Sequence, residues 1–293
     1  MSPLPDILGT EVTLDPRHPH GSNVHKKLTD GGVHLAVIEE VARSYLDWRN
    51  AAEHIRYDAA DPEEYVRQQA ELYSGHRDLL DADRVDVFDS RGALQPSALE
   101  EFCGYLFRPV LERYEGDIAV GHHPVYQRLY FTAPNFASFS KMPTPRYPTG
   151  NLDFVIGKEI TSQLSTELDA VTKTIYVPAV AVECKTYLDR PRYIESEILA
   201  TNIKRGFPRC LYVVVSEYLK LNLDQVDVFG SPIDRSYVWR RSQNVDRKIR
   251  RRDGIGLKPL HPPAILDFFE TVRAHLEEDW AAPEDWDSSG ILK

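Results

Sequence analysis

Leu152-Asp153-Phe154-Val155-Ile156-Gly157 and, further along, Val177-Pro178-Ala179-Val180-Ala181-Val182-Glu183-Cys184-Lys185 decide the fold. Both are short apolar runs bounded by polar segments, the signature of buried strands. Side chains alternate across a strand, so Val180, Val182 and Cys184 share one face and Glu183 and Lys185 share the other. A carboxylate and an ammonium, two residues apart, therefore project together from the end of a buried strand. Asp153 on a neighbouring strand completes a cluster of two carboxylates and one lysine. Such a cluster can hold a hard divalent cation through oxygens and place an amine near the water that the cation activates. The alternative is an edge strand with a solvated polar face, but the flanks are too apolar for it.

Outward from these strands, apolar residues at Val33, Val37, Val41, Tyr45 and Trp48 have helical spacing over residues 33–52. Residues 61–73 read as a second helix, with Asp61 as N-cap and Pro62 in its first turn. Pro96-Ser97 starts a helix carrying Leu99, Phe102, Leu106 and Phe107, and Ser97 and Glu100 have capping-box spacing. Residues 114–148 are rich in aromatics, prolines and histidines and read as strands and loops. Residues 159–174 are polar and form either a hairpin or a helical excursion. Residues 194–205 read as a helix with Ile194, Ile198 and Ile203 inward and Gly206 as its cap. A continuous apolar strand follows over 210–215, with further short strands at 227–229 and 237–239. Pro262-Pro263 opens an amphipathic helix with Ile265, Phe268, Phe269, Val272 and Leu276. This order predicts an α/β protein. Residues 1–92 would form an N-terminal helical region, 93–280 the core with its C-terminal helix, and 281–293 an acidic tail.

The 293 residues can bury a sizeable core. No long apolar run marks a membrane span. The N-terminus lacks a basic start followed by an apolar stretch, so no secretory signal is expected and the location expected is cytoplasmic. Cys103, Cys184 and Cys210 are widely spaced in apolar contexts and read as small core residues. The net charge of −10 argues against a protein held to nucleic acid by overall basicity. Charge is nevertheless uneven. Residues 235–252 read RSYVWRRSQNVDRKIRRR, with Tyr237 and Trp239 interleaved. That run is either a solvated charged segment or a set of phosphate contacts, with Arg240, Arg241, Arg247, Lys248, Arg250, Arg251 and Arg252 as the candidates. His18, His20, His122 and His123 read as loop histidines.

The Asp, gap, Glu-x-Lys arrangement of Asp153, Glu183 and Lys185 resembles the PD-(D/E)xK nuclease superfamily, with Leu152 where the motif name has proline. The run Glu183-Cys184-Lys185-Thr186-Tyr187-Leu188-Asp189 and Leu99-Glu100-Glu101-Phe102 are similar to the group of restriction enzymes that contains DdeI and BbvCI. The matched region runs from about residue 96 to 240. The resemblance implies a restriction-endonuclease-like core, a central mixed sheet flanked by helices. It implies a type II restriction endonuclease that hydrolyses double-stranded DNA with Mg²⁺, or with Mn²⁺ substituting, and leaves 5′-phosphates. It implies metal ligation by Asp153, Glu183 and the carbonyl of Cys184, with Lys185 stabilising charge. Glu100 either joins the metal site or serves the capping box with Ser97, and Glu101 is expected to face solvent. Asn202, Lys204 and Arg205, on the helix after the catalytic strand, can reach the major groove, where Asn reads adenine and Arg reads guanine. A homodimer, or a heteromer with a related subunit, and a cognate DNA methyltransferase are the implied partners. A repair or mobile-element nuclease on the same core, or an inactive DNA-binding module, is the alternative.

Overall fold

The computed structural model describes residues 15–30, 33–88, 94–167, 169–278 and 280. The expected acidic tail, 281–293, lies outside the described residues. Among the described residues seven strands form: β1 (Ile118–Tyr126), β2 (Tyr130–Thr132), β3 (Thr144–Arg146), β4 (Thr149–Ser165), β5 (Ala170–Leu188), β6 (Leu211–Leu219) and β7 (Arg235–Val238). The main sheet has the order β1-β4-β5-β6-β7, and β2-β3 is a separate two-stranded ribbon. β4 is antiparallel to both β1 and β5, while β5, β6 and β7 are parallel. The sheet is therefore mixed, as expected. The polar segment 159–174 is a hairpin: β4 and β5 stay paired out to Ser165 and Ala170. Thr166 and Asp169 close its turn through backbone and hydroxyl bonds. No strand forms at 227–229. There the Asp227 carboxylate accepts the N–H groups of Phe229 and Gly230, a local turn that competes with sheet pairing.

The described helices are α1 (Pro19–Asp30), α2 (Leu35–His54), α3 (Pro62–Leu80), α4 (Leu94–Leu111), α5 (Arg190–Gly206), α6 (Asn244–Arg252) and α7 (Pro262–Glu277), besides single turns. Asp61 caps α3 as expected, accepting the Glu64 N–H at 3.2 Å. Phe154, Val180, Val182, Cys184, Val213 and Val215 bury one face of the sheet in a core shared with Phe102, Leu106, Phe268 and Trp48. That core runs unbroken from the sheet into α1–α3. Ala181, Tyr212 and Val214 bury the other face against α5. All three cysteines are buried.

Three helix expectations are corrected. α5 turns Tyr193, Ser196, Ala200 and Ile203 inward, a clean helical stripe, and leaves Ile194 and Ile198 exposed. Gly206 is not its left-handed cap, since the chain leaves through extended Phe207. A Cβ there would lie 2.7 Å from the Gln127 carbonyl oxygen, so close approach explains the glycine. α4 begins at Leu94 rather than near Pro96, which puts Ser97 inside the helix, where its hydroxyl bonds the Leu94 carbonyl. The capping-box role of Glu100 falls away.

Glu101, expected to face solvent, is buried. It accepts the hydroxyls of Tyr45 and Tyr105, both at 2.8 Å, and the backbone N–H groups of His20 and Gly21 at 3.0 and 3.1 Å. His18 Nδ1 lies 3.1 Å away. His20 and His76 meet ring to ring at 2.8 Å and lean on Ser97 and Ser44. Burial holds His20 down at about 4 and lowers His76 as well. An unfolded imidazole takes its proton near 6.5, whereas folded His20 does so only near 4. The unfolded state therefore binds more protons through that window, and stability falls as pH falls. The expected loss between pH 7 and 4 is on the order of 3 kcal/mol. Urea midpoints across that range test this: His20→Gln should flatten the slope, and a midpoint indifferent to pH would contradict it.

Candidate active site

An irregularity in β4 aims Asp153. Between the pairs Gly121–Val155 and His123–Leu152, β1 advances two residues and β4 three, which is a β-bulge. Beyond it Leu152 falls into the same core as Val155 rather than that of Phe154. β4 also stops pairing with β5 at Phe154–Val182, so Asp153 is free to turn toward the end of β5. Its Oδ2 accepts the Cys184 backbone N–H at 2.7 Å and the Lys185 ammonium at 2.8 Å. The same ammonium contacts Glu183 Oε2. Asp153, Glu183 and Lys185 are thus brought together.

α4 supplies the next group. Glu100 is nearly buried and faces His122 of β1, whose Nδ1 lies 3.6 Å from Glu100 Oε2. Ligand atoms of Glu100, His122 and Asp153 lie within 4.8 Å of one another, a spacing that can hold a metal ion. His122, read from sequence as a loop histidine, belongs to a strand beside the carboxylates. The two neighbouring His residues alternate faces, and only one of them can point at the site.

Burial pushes the Glu100 and Glu183 carboxyls above the usual range, with Lys185 opposing the effect at Glu183. Burial alone would lower Lys185, but the Asp153 and Glu183 carboxylates outweigh it and hold the ammonium high. His122 is raised by Glu100. The donors are hard oxygens and one imidazole, which fits Mg²⁺ or Mn²⁺ rather than a soft, thiolate-bound metal. Cys184 points its sulfur into the core, 3.9 Å from that of Cys103, so only its backbone can serve the site.

A cavity of about 530 Å³ opens from Glu100, Asp153 and Lys185. Its far wall is basic: Arg192, Lys220, Arg247, Lys248 and Arg251 line it together with Asn244 and Tyr187. Arg192 and Lys220 both lie over the Tyr187 ring, at 4.2 and 5.3 Å. Sequence reading missed Tyr187, Arg192, Lys220 and Asn244. Tyr187 lies two residues past Lys185 on the same strand face and Arg192 stands in the first turn of the helix that follows, which was the available signal.

Other expected contacts lie elsewhere. Arg240 is fully buried, donating to Asp78 at 2.8 Å and to the Lys258 carbonyl at 2.6 Å, so it is corrected from phosphate contact to internal ion pair. Arg247 reaches the cavity, but its guanidinium is held by Asp81. Lys204 is paired with Asp234 at 2.6 Å. Arg250 donates to the Gly256 carbonyl and Arg252 to Asp253. Arg205 and Arg241 are exposed, and Asn202 is half-buried on α5.

Asp, Glu-x-Lys and a helix-borne glutamate at one end of a mixed sheet match the arrangement expected of the PD-(D/E)xK nucleases. The family model of the Bpu10I restriction endonuclease matches residues 93–254, more than half of the chain, and the chain belongs to that family. A chain of the native BbvCI A2B2 tetramer shares the fold, with a TM-score of 0.62 at 18% identity, covering 89% of this chain and 97% of that one. No curated protein matches the chain. Among the described residues, no helix is long and apolar enough to cross a membrane.

Proposed function

We propose that this restriction endonuclease is a type II, site-specific deoxyribonuclease that hydrolyses double-stranded DNA with Mg²⁺ and leaves 5′-phosphates. The observation that carries the reading is the convergence of Asp153, Glu183 and Lys185, with Asp153 and Lys185 lining a basic cavity. Asp153 and Glu183, with the Cys184 carbonyl, are the assigned metal ligands, and Glu100 with His122 stands beside them. A bound Mg²⁺, or Mn²⁺ in its place, would polarise a phosphoryl oxygen and acidify water. The Cys184 N–H fixes the Asp153 carboxylate. Lys185, held between both carboxylates, supplies positive charge where the attacking water and the phosphate develop negative charge.

Lys248 and Arg251 on the cavity wall, and Arg241, Arg250 and Arg252 further out, are assigned to the phosphate backbone, whose contacts position the duplex without reading sequence. Arg192 and Lys220 join them. Asn202 and Arg205 are assigned to base edges. Cleaving both strands calls for two sites. The BbvCI assembly is described as an A2B2 tetramer, which supports a dimer of this chain or a heteromer with a related subunit. A cytoplasmic location and a cognate methyltransferase to protect host DNA follow from the same reading.

Plasmid digestion tests it. Discrete fragments are expected in Mg²⁺ and none in EDTA, with DNA bound but uncut in Ca²⁺, whose looser geometry fills oxygen sites without aligning the chemistry. A smear would point to a non-specific nuclease, and binding without cutting in every divalent metal to an inactive module.

A further inference from the structure

The segment between β1 and β4 has no place in the site just described, yet it has an unusual surface. From residue 127 to 148 it contains none of the chain's 45 acidic residues. Its charged side chains are Arg128, Lys141 and Arg146, all exposed. Five large apolar side chains stand out of it within eleven residues: Leu129, Tyr130, Phe131, Phe136 and Phe139. Phe136 is 79% exposed and stacks on Phe139 at 6.0 Å between ring centres. Elsewhere, exposed large apolar residues come as singles or pairs, such as Ile194 with Ile198 and Val228 with Phe229. A cluster of this kind marks an interaction surface.

The excursion is built as an arm. The Gln127 N–H donates to the Pro148 carbonyl and closes its base. β2 and β3 pair above that, and Asn135 caps the helical turn that carries Phe136 and Phe139. At the base, a Cβ on Gly150 would lie 2.4 Å from Leu199 of α5, and Gly206 of α5 packs against Gln127 and Tyr126. The arm is thus seated on the helix that carries Asn202 and Arg205. Its base is four residues along β4 from Asp153, about 13 Å at the rise of a strand.

We infer that this arm is a DNA-contacting element: Arg128, Lys141 and Arg146 face phosphates, and Phe136 with Phe139 presses into a groove of the duplex near the cleaved strand. The inference rests on the nuclease reading above. A polyanion is favoured over a protein partner because the surface combines cations with a complete absence of acid, in a chain of net charge −10. Aromatic side chains wedge against base steps or stack on bases without demanding one sequence, which suits an apolar tip flanked by cations.

The test uses the full chain and a duplex cut from a plasmid that the wild type cleaves, with affinity measured in Ca²⁺. Phe136→Ala/Phe139→Ala should weaken binding by about tenfold or more and leave the salt dependence unchanged. Arg128→Ala/Lys141→Ala/Arg146→Ala should make the slope of log affinity against log salt shallower by about two to three. Sedimentation should give the same mass for both variants as for the wild type. Wild-type affinity and slope in both variants would overturn the inference. So would a fall in mass with DNA affinity intact, which would make the arm an interface between copies. If the wild type itself neither binds nor cuts DNA, the nuclease reading fails rather than the arm alone.

Discussion

Replacing Asp153 with Asn should lower Mg²⁺-dependent cleavage by about a thousandfold or more, and Lys185→Ala should do the same by a different route. Loss of a metal ligand removes several kcal/mol of charge stabilisation, and each 1.4 kcal/mol is tenfold in rate. Asn keeps an oxygen for the Cys184 N–H that Asp153 now binds at 2.7 Å, so the bulged strand keeps its contact while the anionic charge is lost. Lys185→Ala leaves Asp153 and Glu183 without the ammonium that lies between them. A divalent cation can still neutralise that pair, so DNA binding in Ca²⁺ should survive in Lys185→Ala while cleavage does not. Both side chains retain some solvent contact, and thermal midpoints near wild type should separate lost chemistry from lost fold. Cleavage at the wild-type rate by either purified, folded variant would remove these residues from the reaction.

The strand that carries Glu183 and Lys185 is legible because a period of two fixes which side chains share a face whatever the rest of the chain does. The helix before it is not. Pro96 marks a helix start near itself, but proline is tolerated in a first turn, and α4 runs from Leu94. The expectation that Glu101 faces solvent requires α4 to have a wet side. It has almost none: the sheet covers one flank and α1–α3 the other, so Gln95, Ser97, Glu100 and Glu101 are all buried and only Arg108 is exposed. A helix buried all round gives no amphipathic signal by which to orient two adjacent glutamates. The basic run was legible as charge but not as direction. Lys248 reaches the cavity, while Arg240 turns inward to Asp78, 162 residues earlier, and Arg247 to Asp81, 166 residues earlier. Such distant partners are fixed only by the tertiary fold.

Those inward arginines set the second large effect. Glu217 of β6 is 1% exposed and gathers Arg77 at 2.7 Å, Arg240 at 3.5 Å and the Tyr73 hydroxyl at 2.6 Å. Arg77 and Arg240 are themselves fully buried, and Arg77 also meets Asp81 at 3.0 Å. Assembling such a cluster gains little net stability, because desolvation offsets the attraction. Breaking it is different, since Glu217→Ala strands two buried guanidinium groups with less counter-charge. The expected destabilisation is about 3–5 kcal/mol in urea unfolding. Glu217→Gln should recover part of it, because an amide oxygen still accepts from Tyr73 and Arg77 while the charge remains missing. The cluster joins α3 to β6, and the apolar core is continuous from α2 to the sheet, so the helices and the sheet should unfold together. Circular dichroism and tryptophan fluorescence should then report one coincident transition in the variant as in the wild type. A Glu217→Ala midpoint within error of wild type would mean that the two arginines find other partners. Transitions that separate by probe would mean that the helical region and the sheet are held together by this cluster rather than by the shared core.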